Sequence, residues 1–219
     1  MINDDLVAER IRSIRDRIES RGRRAVRLIA VTKGFGVEAM VAAVQAGSAD
    51  VGENYAQELV AKMAAYPVDV ERPTVHFIGR LQSNKVRSVA SLVDCWHTVD
   101  RSGLVDEIAR RVPSARVLIQ VNATGEDDKG GCRPADAEGL VTRAAAAGLQ
   151  PIGLMTVGPT DGDPARTRLA FETVARMASN LGLPELSMGM SADLDIALDA
   201  GSTMVRVGSA IFGDRPPAA

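Results

Sequence analysis

The chain of 219 residues contains few aromatic residues, few cysteines and little net charge. Aromatic side chains make up only 3% of the sequence, which argues against base-stacking surfaces for nucleic acid. The formal net charge is -2, so no basic field favours a nucleic-acid partner either. No hydrophobic run has the length of a membrane span, and the amino terminus carries no signal-peptide pattern. We therefore expect no nucleic acid, no membrane and a cytoplasmic location.

The two cysteines, Cys95 and Cys132, lie far apart in the sequence. Neither belongs to a CxxC pair or to a Cys/His spacing of the kind that binds a metal ion. Free thiols in a reducing cytoplasm are the simplest interpretation, and we predict no metal site.

Alternating strand and helix patterns run through the chain. Val7, Ile11, Ile14 and Ile18 recur at helical spacing and predict an amphipathic helix over residues 2–21. Short apolar runs, most of them followed by helical patterns, then predict eight strands, over residues 28–32, 50–51, 75–78, 94–99, 117–121, 152–156, 185–187 and 204–207.

Eight such units in a chain of this length predict one (β/α)8 TIM-type barrel with an extra amino-terminal helix. A doubly wound open sheet is the rival, but the sequence contains neither a GxGxxG fingerprint nor a phosphate loop. No linker divides the chain, so we predict a single domain over residues 1–219, with residues 214–219 as a flexible tail.

The carboxyl ends of the predicted strands are where a barrel binds its ligands. Lys33 closes the first strand, and an amine partly removed from water there is a nucleophile toward an aldehyde. After strands seven and eight come Ser191, predicted to cap a helix, and the pair Gly208-Ser209. Barrels commonly hold a phosphate at this place through backbone N–H groups. Together these residues suggest pyridoxal 5'-phosphate (PLP).

Several motifs extend this suggestion to most of the chain. They are 30–33 (AVTK), 52–58 (GENYAQE), 76–85 (HFIGRLQSNK), 97–101 (HTVDR), 153–155 (GLM), 187–191 (SMGMS) with Asp193, and 201–213 (GSTMVRVGSAIFG). In this order, between residues 28 and 213, they resemble the pyridoxal-phosphate homeostasis protein family, whose barrel is of the alanine-racemase type.

The resemblance implies a cofactor site that can be carried over residue by residue. Lys33 would form the Schiff base with PLP, and Arg206 would face the pyridine nitrogen. Asn54 would lie near the ring. The phosphate would be held by Ser191, Gly208 and Ser209, with Ser187 nearby and Met190 in the same loop. The function implied is PLP binding in vitamin B6 homeostasis without robust catalysis. We also expect a monomer, with PLP-dependent apo-enzymes as partners that receive PLP.

Two other functions stay open at this point. The first is a PLP-dependent racemase or decarboxylase; such enzymes add a β-domain to this barrel, which we expect this chain to lack. The second is a partner-binding scaffold in which PLP is incidental. Among other residues, His76 in its apolar strand is interpreted as structural rather than catalytic, and His97 is a second acid–base candidate. Lys85 is expected to be solvated, and Lys129 to be a mobile surface lysine among acids.

Overall fold

The computed structural model describes residues 2–23 and 25–214, and its strands form a closed parallel barrel. The strands are β1 (Arg27–Val31), β2 (Asp50–Glu53), β3 (Thr74–Phe77), β4 (Cys95–Val99), β5 (Arg116–Gln120), β6 (Gln150–Met155), β7 (Glu185–Ser187) and β8 (Met204–Val207). Each strand pairs with the next, and β8 pairs with β1 to close the ring, with Leu28 opposite Val205. The predicted (β/α)8 barrel is confirmed.

The helices lie outside the ring of strands. They are α1 (Asp4–Ser20), α2 (Val37–Gln45), α3 (Ala56–Ala64), α4 (Val86–Val89), α5 (Ser102–Arg111), α6 (Ala137–Ala146), α7 (Pro164–Asn180), α8 (Leu194–Asp199) and α9 (Ser209–Phe212), with 3₁₀ turns at Ser83–Lys85 and Pro134–Asp136. None of these helices is both long enough and apolar enough to cross a membrane. Of the predicted tail, only Asp214 is among the described residues.

The extra amino-terminal helix forms as its apolar spacing predicts. The four residues of its stripe, Val7, Ile11, Ile14 and Ile18, are all buried. The side chain of Asn3 caps the helix by accepting a hydrogen bond from the backbone N–H of Leu6 at 3.1 Å. Arg17 pairs with Asp195 of α8 at 2.7 Å, so α1 is attached to the outer layer of the barrel.

The region between the strands and the helices is apolar, whereas the interior of the barrel is partly polar. Most buried apolar side chains belong to one cluster that includes residues of both the helices and the strands. Cys95, Leu118 and Met155 form a separate small cluster. Side chains alternate between the two faces along barrel strands, which allows polar residues to enter the interior between apolar ones. The polar residues that are almost fully buried on these strands are Glu53, His76, His97, Thr98, Ser187 and Arg206.

Strand β2 is longer than its sequence pattern indicates. The prediction stopped at Val51, whereas the strand continues through Gly52 and Glu53. These two residues pair with His76 and Phe77 of β3. A glycine and an acid weaken the β signal in the sequence, but both are buried, and the ladder of hydrogen bonds satisfies their backbone groups.

Candidate functional site

A cavity of about 570 Å³ opens where several strands end at their carboxyl termini. Its polar lining includes Lys33, Asn54, Ser191, Arg206 and Ser209. Gly208 and Met190 also line it, together with an apolar wall of Val31, Phe35, Ile78, Met155 and Val157. The cavity thus brings together all the predicted site residues except Ser187. Its size and mixed lining are typical of a small-molecule site.

The backbone on both sides of Lys33 is held by side chains from β2 and α3. Before Lys33, the carbonyl oxygen of Thr32 accepts a hydrogen bond from Lys62 Nζ at 2.7 Å. After it, the N–H of Gly34 donates to Glu58 Oε2 at 2.9 Å. The hydroxyl of Thr32 also donates to Glu53. Lys33, half-buried, therefore extends into the cavity from a fixed segment.

Lys62 and Glu53 form a buried ion pair behind this segment. Lys62 Nζ lies 2.6 Å from Glu53 Oε1, and the two side chains are 5% and 0% exposed. Burial raises the pKa of Glu53, and the neighbouring charge of Lys62 opposes that rise. A buried charge is tolerated when its partner is present and costs several kcal/mol when the partner is removed. The support of Lys33 therefore depends on both members of the pair.

Arg206 approaches the cavity from β8, almost completely buried. One terminal nitrogen donates to Ser187 Oγ at 2.6 Å, and the other donates to the carbonyl oxygen of Thr156 at 3.0 Å. Burial lowers the pKa of Arg206 to about 10, which still leaves the guanidinium charged at neutral pH. A charged guanidinium can only donate hydrogen bonds.

Ser187 is buried in the barrel interior and does not line the cavity. It is fully buried at the end of β7, where its hydroxyl receives the hydrogen bond from Arg206. Its oxygen is also 2.9 Å from Nδ1 of His97. The expectation that Ser187 lies beside a phosphate is replaced by a contact with the guanidinium, because the side chain points into the barrel interior.

The two histidines of the chain continue this set of contacts. His97 Nε2 is 2.8 Å from His76 Nδ1, and His76 Nε2 is 2.8 Å from a carboxylate oxygen of Asp50. His76 is therefore a buried, hydrogen-bonded residue, as predicted. Within the described ranges, His76, His97 and Cys95 are the group whose ligand atoms are close enough for a metal ion, within 4.8 Å. All four ring nitrogens already have hydrogen-bond partners, which a metal ion would have to displace.

Ser191 does not cap α8, contrary to the prediction. The helix begins at Leu194, and Asp193 occupies the capping position. The carboxylate of Asp193 instead accepts a hydrogen bond from the N–H of Met190 and closes a turn before the helix begins. Ser191 is left free to face the start of α9, where its oxygen accepts from the N–H of Ala210 at 3.3 Å and the hydroxyl of Ser209 at 3.2 Å.

Gly208 is required by its close approach to β1. A Cβ atom at this position would lie 3.2 Å from the carbonyl oxygen of Val31, closer than most real Cβ contacts. The absence of a side chain lets the turn between β8 and α9 lie against the strand that carries Lys33. The hydroxyl groups of Ser191 and Ser209 are thereby kept in the same cavity as Lys33.

Two lysines singled out in the sequence lie outside the cavity lining. Lys85 borders an adjoining surface depression that also includes Asn54 and Tyr55. The prediction of a mobile Lys129 is wrong. Its side chain is 17% exposed, pairs with Glu126 and donates to the carbonyl oxygen of Gly158. Glu126 and the carbonyl oxygen of Gly158 hold this lysine in place.

The sequence reasoning missed Lys62, and a signal for it exists. Lys62 follows Leu59 by three residues in α3, and these two are the buried residues of that helix. A lysine on the apolar stripe of a helix needs a buried partner, and the acid of β2 is one. The sequence places Thr156 at the end of the sixth strand but gives no sign that its carbonyl oxygen accepts a hydrogen bond from Arg206.

Comparison with known proteins places the chain in a family. The model of the alanine racemase amino-terminal domain matches residues 2–216. The chain is 39% identical to the pyridoxal phosphate homeostasis protein of Vibrio cholerae, covering 95% of this chain and 96% of the relative. It is 37% identical to the Escherichia coli K12 protein of the same name, covering 95% and 97%. The chain belongs to the pyridoxal phosphate homeostasis protein family.

Solved structures agree with this assignment. PipY of Synechococcus elongatus PCC7942 with PLP bound superposes with a TM-score of 0.83 at 32% identity, covering 94% of this chain and 100% of PipY. Alanine racemase from Corynebacterium glutamicum superposes with a TM-score of 0.74 at 18% identity, covering 100% of this chain and 63% of the racemase. The second likeness shows a shared barrel and nothing more. This member of the homeostasis family thus has the alanine-racemase type of barrel, as expected.

Proposed function

We propose that this chain binds PLP through Lys33 and acts in PLP homeostasis without robust catalysis of its own. The observation that carries the proposal is one cavity that combines a lysine, a buried arginine and a cluster of hydroxyl groups around Gly208. The names of the relatives and the PLP-bound PipY structure support it.

The residues present fit PLP chemically. The amine of Lys33 suits the aldehyde, and the guanidinium of Arg206 suits the ring nitrogen, which is an acceptor. Ser191, Ser209 and the backbone at Gly208 suit the phosphate. The Oδ1 atom of Asn54 is buried and has no hydrogen-bond partner among the described residues, although Asn54 lines the cavity. Buried polar atoms are usually paired, so this orphaned oxygen indicates that a ligand with a polar group belongs beside it.

When bound, PLP supplies a reactive aldehyde and an aromatic ring that can withdraw electrons. Lys33 would hold the cofactor at its aldehyde from this fixed segment, and the apolar wall of the cavity would limit the access of water. Arg206 would donate a hydrogen bond to the ring nitrogen and, because it stays charged, has no lone pair with which to accept a proton from it.

The arginine would favour holding PLP over using it for turnover. The ring withdraws electrons strongly when an acidic residue keeps its nitrogen protonated. Arg206 would instead leave the ring nitrogen unprotonated, so the ring would withdraw electrons only weakly from a bound amino acid. The chain would therefore carry PLP rather than use it for turnover.

The test is a spectrum of the purified protein with added PLP. We expect a visible absorption band in the wild type, its loss in Lys33→Ala, and its retention in Lys85→Ala, which removes a lysine outside the cavity. We also expect no amino-acid racemase activity at ordinary enzyme rates of about 1–10³ per second. A band that survives in Lys33→Ala, or racemisation at those rates, would contradict the proposal.

The recipient of the PLP is part of the same proposal. We expect the loaded protein to restore activity to a PLP-dependent apo-enzyme on mixing, and to run as a monomer in size-exclusion chromatography. Loaded protein that leaves the apo-enzyme inactive, while free PLP at the same concentration activates it, would show that this chain stores PLP without delivering it.

A further inference from the structure

Five polar side chains form an unbroken hydrogen-bonded chain across the barrel interior. It runs from Arg206 to Ser187 (2.6 Å), to His97 (2.9 Å), to His76 (2.8 Å) and to Asp50 (2.8 Å). The three middle residues are completely buried, whereas the Asp50 side chain is 19% exposed. Asp50 is the first residue of β2 and Arg206 borders the cavity, so the chain links the two ends of the barrel.

The chemistry of the two terminal groups fixes the direction of every bond between them. A guanidinium only donates and a carboxylate only accepts. The oxygen of Ser187 accepts a hydrogen bond from Arg206, and within the described part of the protein the acceptor left for its own hydroxyl proton is Nδ1 of His97. His97 must then donate from Nε2 to Nδ1 of His76, which in turn donates from Nε2 to Asp50.

The opposite direction leaves one hydroxyl proton without an acceptor and places two acceptors against each other. If His97 carried its proton on Nδ1, the oxygen of Ser187 would accept from both Arg206 and His97, and among the described residues the hydroxyl proton of Ser187 would have no acceptor. Nε2 of His76 would then face the carboxylate of Asp50 with no proton between two acceptors. With both rings neutral, only the direction from Arg206 toward Asp50 gives every contact one donor and one acceptor and leaves the Ser187 hydroxyl with an acceptor.

We infer that Ser187, His97 and His76 form a neutral relay that fixes both imidazoles as Nε2–H tautomers and positions Arg206 as a donor toward the cavity. The influence of the relay on a cofactor depends on the proposed function; the tautomers do not. The three relay residues are positioning residues, since none of them lines the cavity.

The neutral state of His97 follows from its surroundings. Burial, the neighbouring His76 and the arginines Arg206, Arg27 and Arg116 hold the pKa of His97 well below its ordinary value. Among the described residues, the other charged or titratable groups around the relay are Asp50, Glu185, Asp193 and Cys95. The nearest acid, Asp50, contacts His76 and not His97. His97 therefore stays uncharged while it transmits the hydrogen bond.

The first test is nitrogen-15 correlation spectroscopy of the histidine rings in the protein without added PLP. The chain contains two histidines, so one variant, His76→Asn, is enough to assign each set of ring signals to its residue. We expect the Nε2–H pattern for both rings, and for His97 no change between about pH 5.5 and pH 8. An Nδ1–H pattern in either ring, or a His97 that becomes charged in this range, would overturn the inference.

The second test uses PLP labelled with nitrogen-15 in its ring. We expect Ser187→Ala to shift the ring-nitrogen resonance and to lower PLP affinity by at least about threefold, because Arg206 loses one of its two anchors. The control is Ser202→Ala, an equally buried serine whose hydroxyl donates to main-chain carbonyl oxygens. It should leave the resonance unchanged.

The partly exposed end provides a variant with little risk of misfolding. In Asp50→Asn the end of the relay can donate as well as accept, so we expect His76 to lose its single tautomer. The relay would be refuted if Ser187→Ala left the resonance of the PLP ring nitrogen unchanged and Asp50→Asn left the tautomer of His76 unchanged. If wild-type protein takes up no PLP, the proposed function fails, and the histidine tautomers still decide the relay.

Discussion

The two sides of the cavity are supported by different kinds of interaction. On the β1–β2 side, Lys33 follows a backbone segment held by the buried ion pair of Lys62 and Glu53. On the β7–β8 side, Arg206 is held by a serine and a carbonyl oxygen, and neutral histidines lie behind the serine.

The difference follows from what each side must do. The position of Lys33 depends on the backbone of its segment. Lys62, which Glu53 holds in place, donates to the carbonyl oxygen of Thr32 and so fixes that backbone. For Arg206, the orientation of its N–H donors toward the cavity matters most. A chain of neutral groups fixes that orientation without placing a second charge beside the cavity. Removal of a single partner should therefore lower the free energy of unfolding more on the ionic side than on the neutral side.

The largest expected effect is on the ionic side. Lys62→Met leaves the carboxylate of Glu53 buried without its partner, which should lower the free energy of unfolding by about 3–5 kcal/mol. Urea denaturation of the purified variants measures it. The double variant Lys62→Met with Glu53→Gln should recover most of the loss, since no unpaired buried charge remains.

Two controls sharpen this prediction. Arg143→Met breaks the ion pair between Arg143 and Asp106, whose two side chains are 49% and 52% exposed. It should change the free energy of unfolding by less than about 1 kcal/mol. Ser187→Ala interrupts the neutral support and should cost about 1–3 kcal/mol. A Lys62→Met protein as stable as Arg143→Met would show that the ion pair does not support the β1–β2 side.

A smaller effect is expected in the phosphate contacts of the β7–β8 side. Ser209→Ala removes a hydroxyl that would donate to a charged phosphate, an interaction of about 1.5–3 kcal/mol, so PLP affinity should fall roughly 10- to 100-fold. Equilibrium dialysis measures it, with the exposed Ser88→Ala as control. Pyridoxal, which has no phosphate, should bind Ser209→Ala and wild type equally; an equal loss for pyridoxal would assign Ser209 a purely structural role.

The smallest effect is a pH dependence carried by His97. Its pKa is lowered in the folded protein, so below about pH 6.5 the unfolded chain binds a proton that the folded chain does not. Stability should therefore fall as the pH is lowered, by up to about 1.4 kcal/mol per pH unit from this residue. His97→Gln should lack that part of the slope between pH 6.5 and 5.5 in urea denaturation. Identical slopes for the two proteins would mean that His97 is protonated in the folded state.

The barrel was predictable from the sequence because it depends on periodicity. Buried strands such as residues 28–32 are short apolar runs between turn residues, and the α1 stripe recurs at helical spacing, so local pattern and burial agree. The placement of Lys33 and Arg206 in one cavity follows from the rule that strand ends meet at one face. Both residues indeed line the same cavity.

The supports of the site could not be predicted, because they depend on contacts between distant residues. The apolar stripe of α3 signals that Lys62 is buried, but nothing local shows that its partner is Glu53, or that His97 lies between Ser187 and His76. The false helix cap at Ser191 has a similar cause. Serine is a common cap, but the turn closed by Asp193 delays the helix to Leu194.

The central claim is that PLP is held on Lys33 within this cavity. Reduction of the PLP-loaded protein with borohydride, followed by peptide mapping by mass spectrometry, tests it most directly. We predict one labelled peptide, containing Lys33, with a mass increase of one reduced pyridoxyl phosphate. A label on Lys62, Lys85 or Lys129 in place of Lys33, or no label at all, would contradict the account.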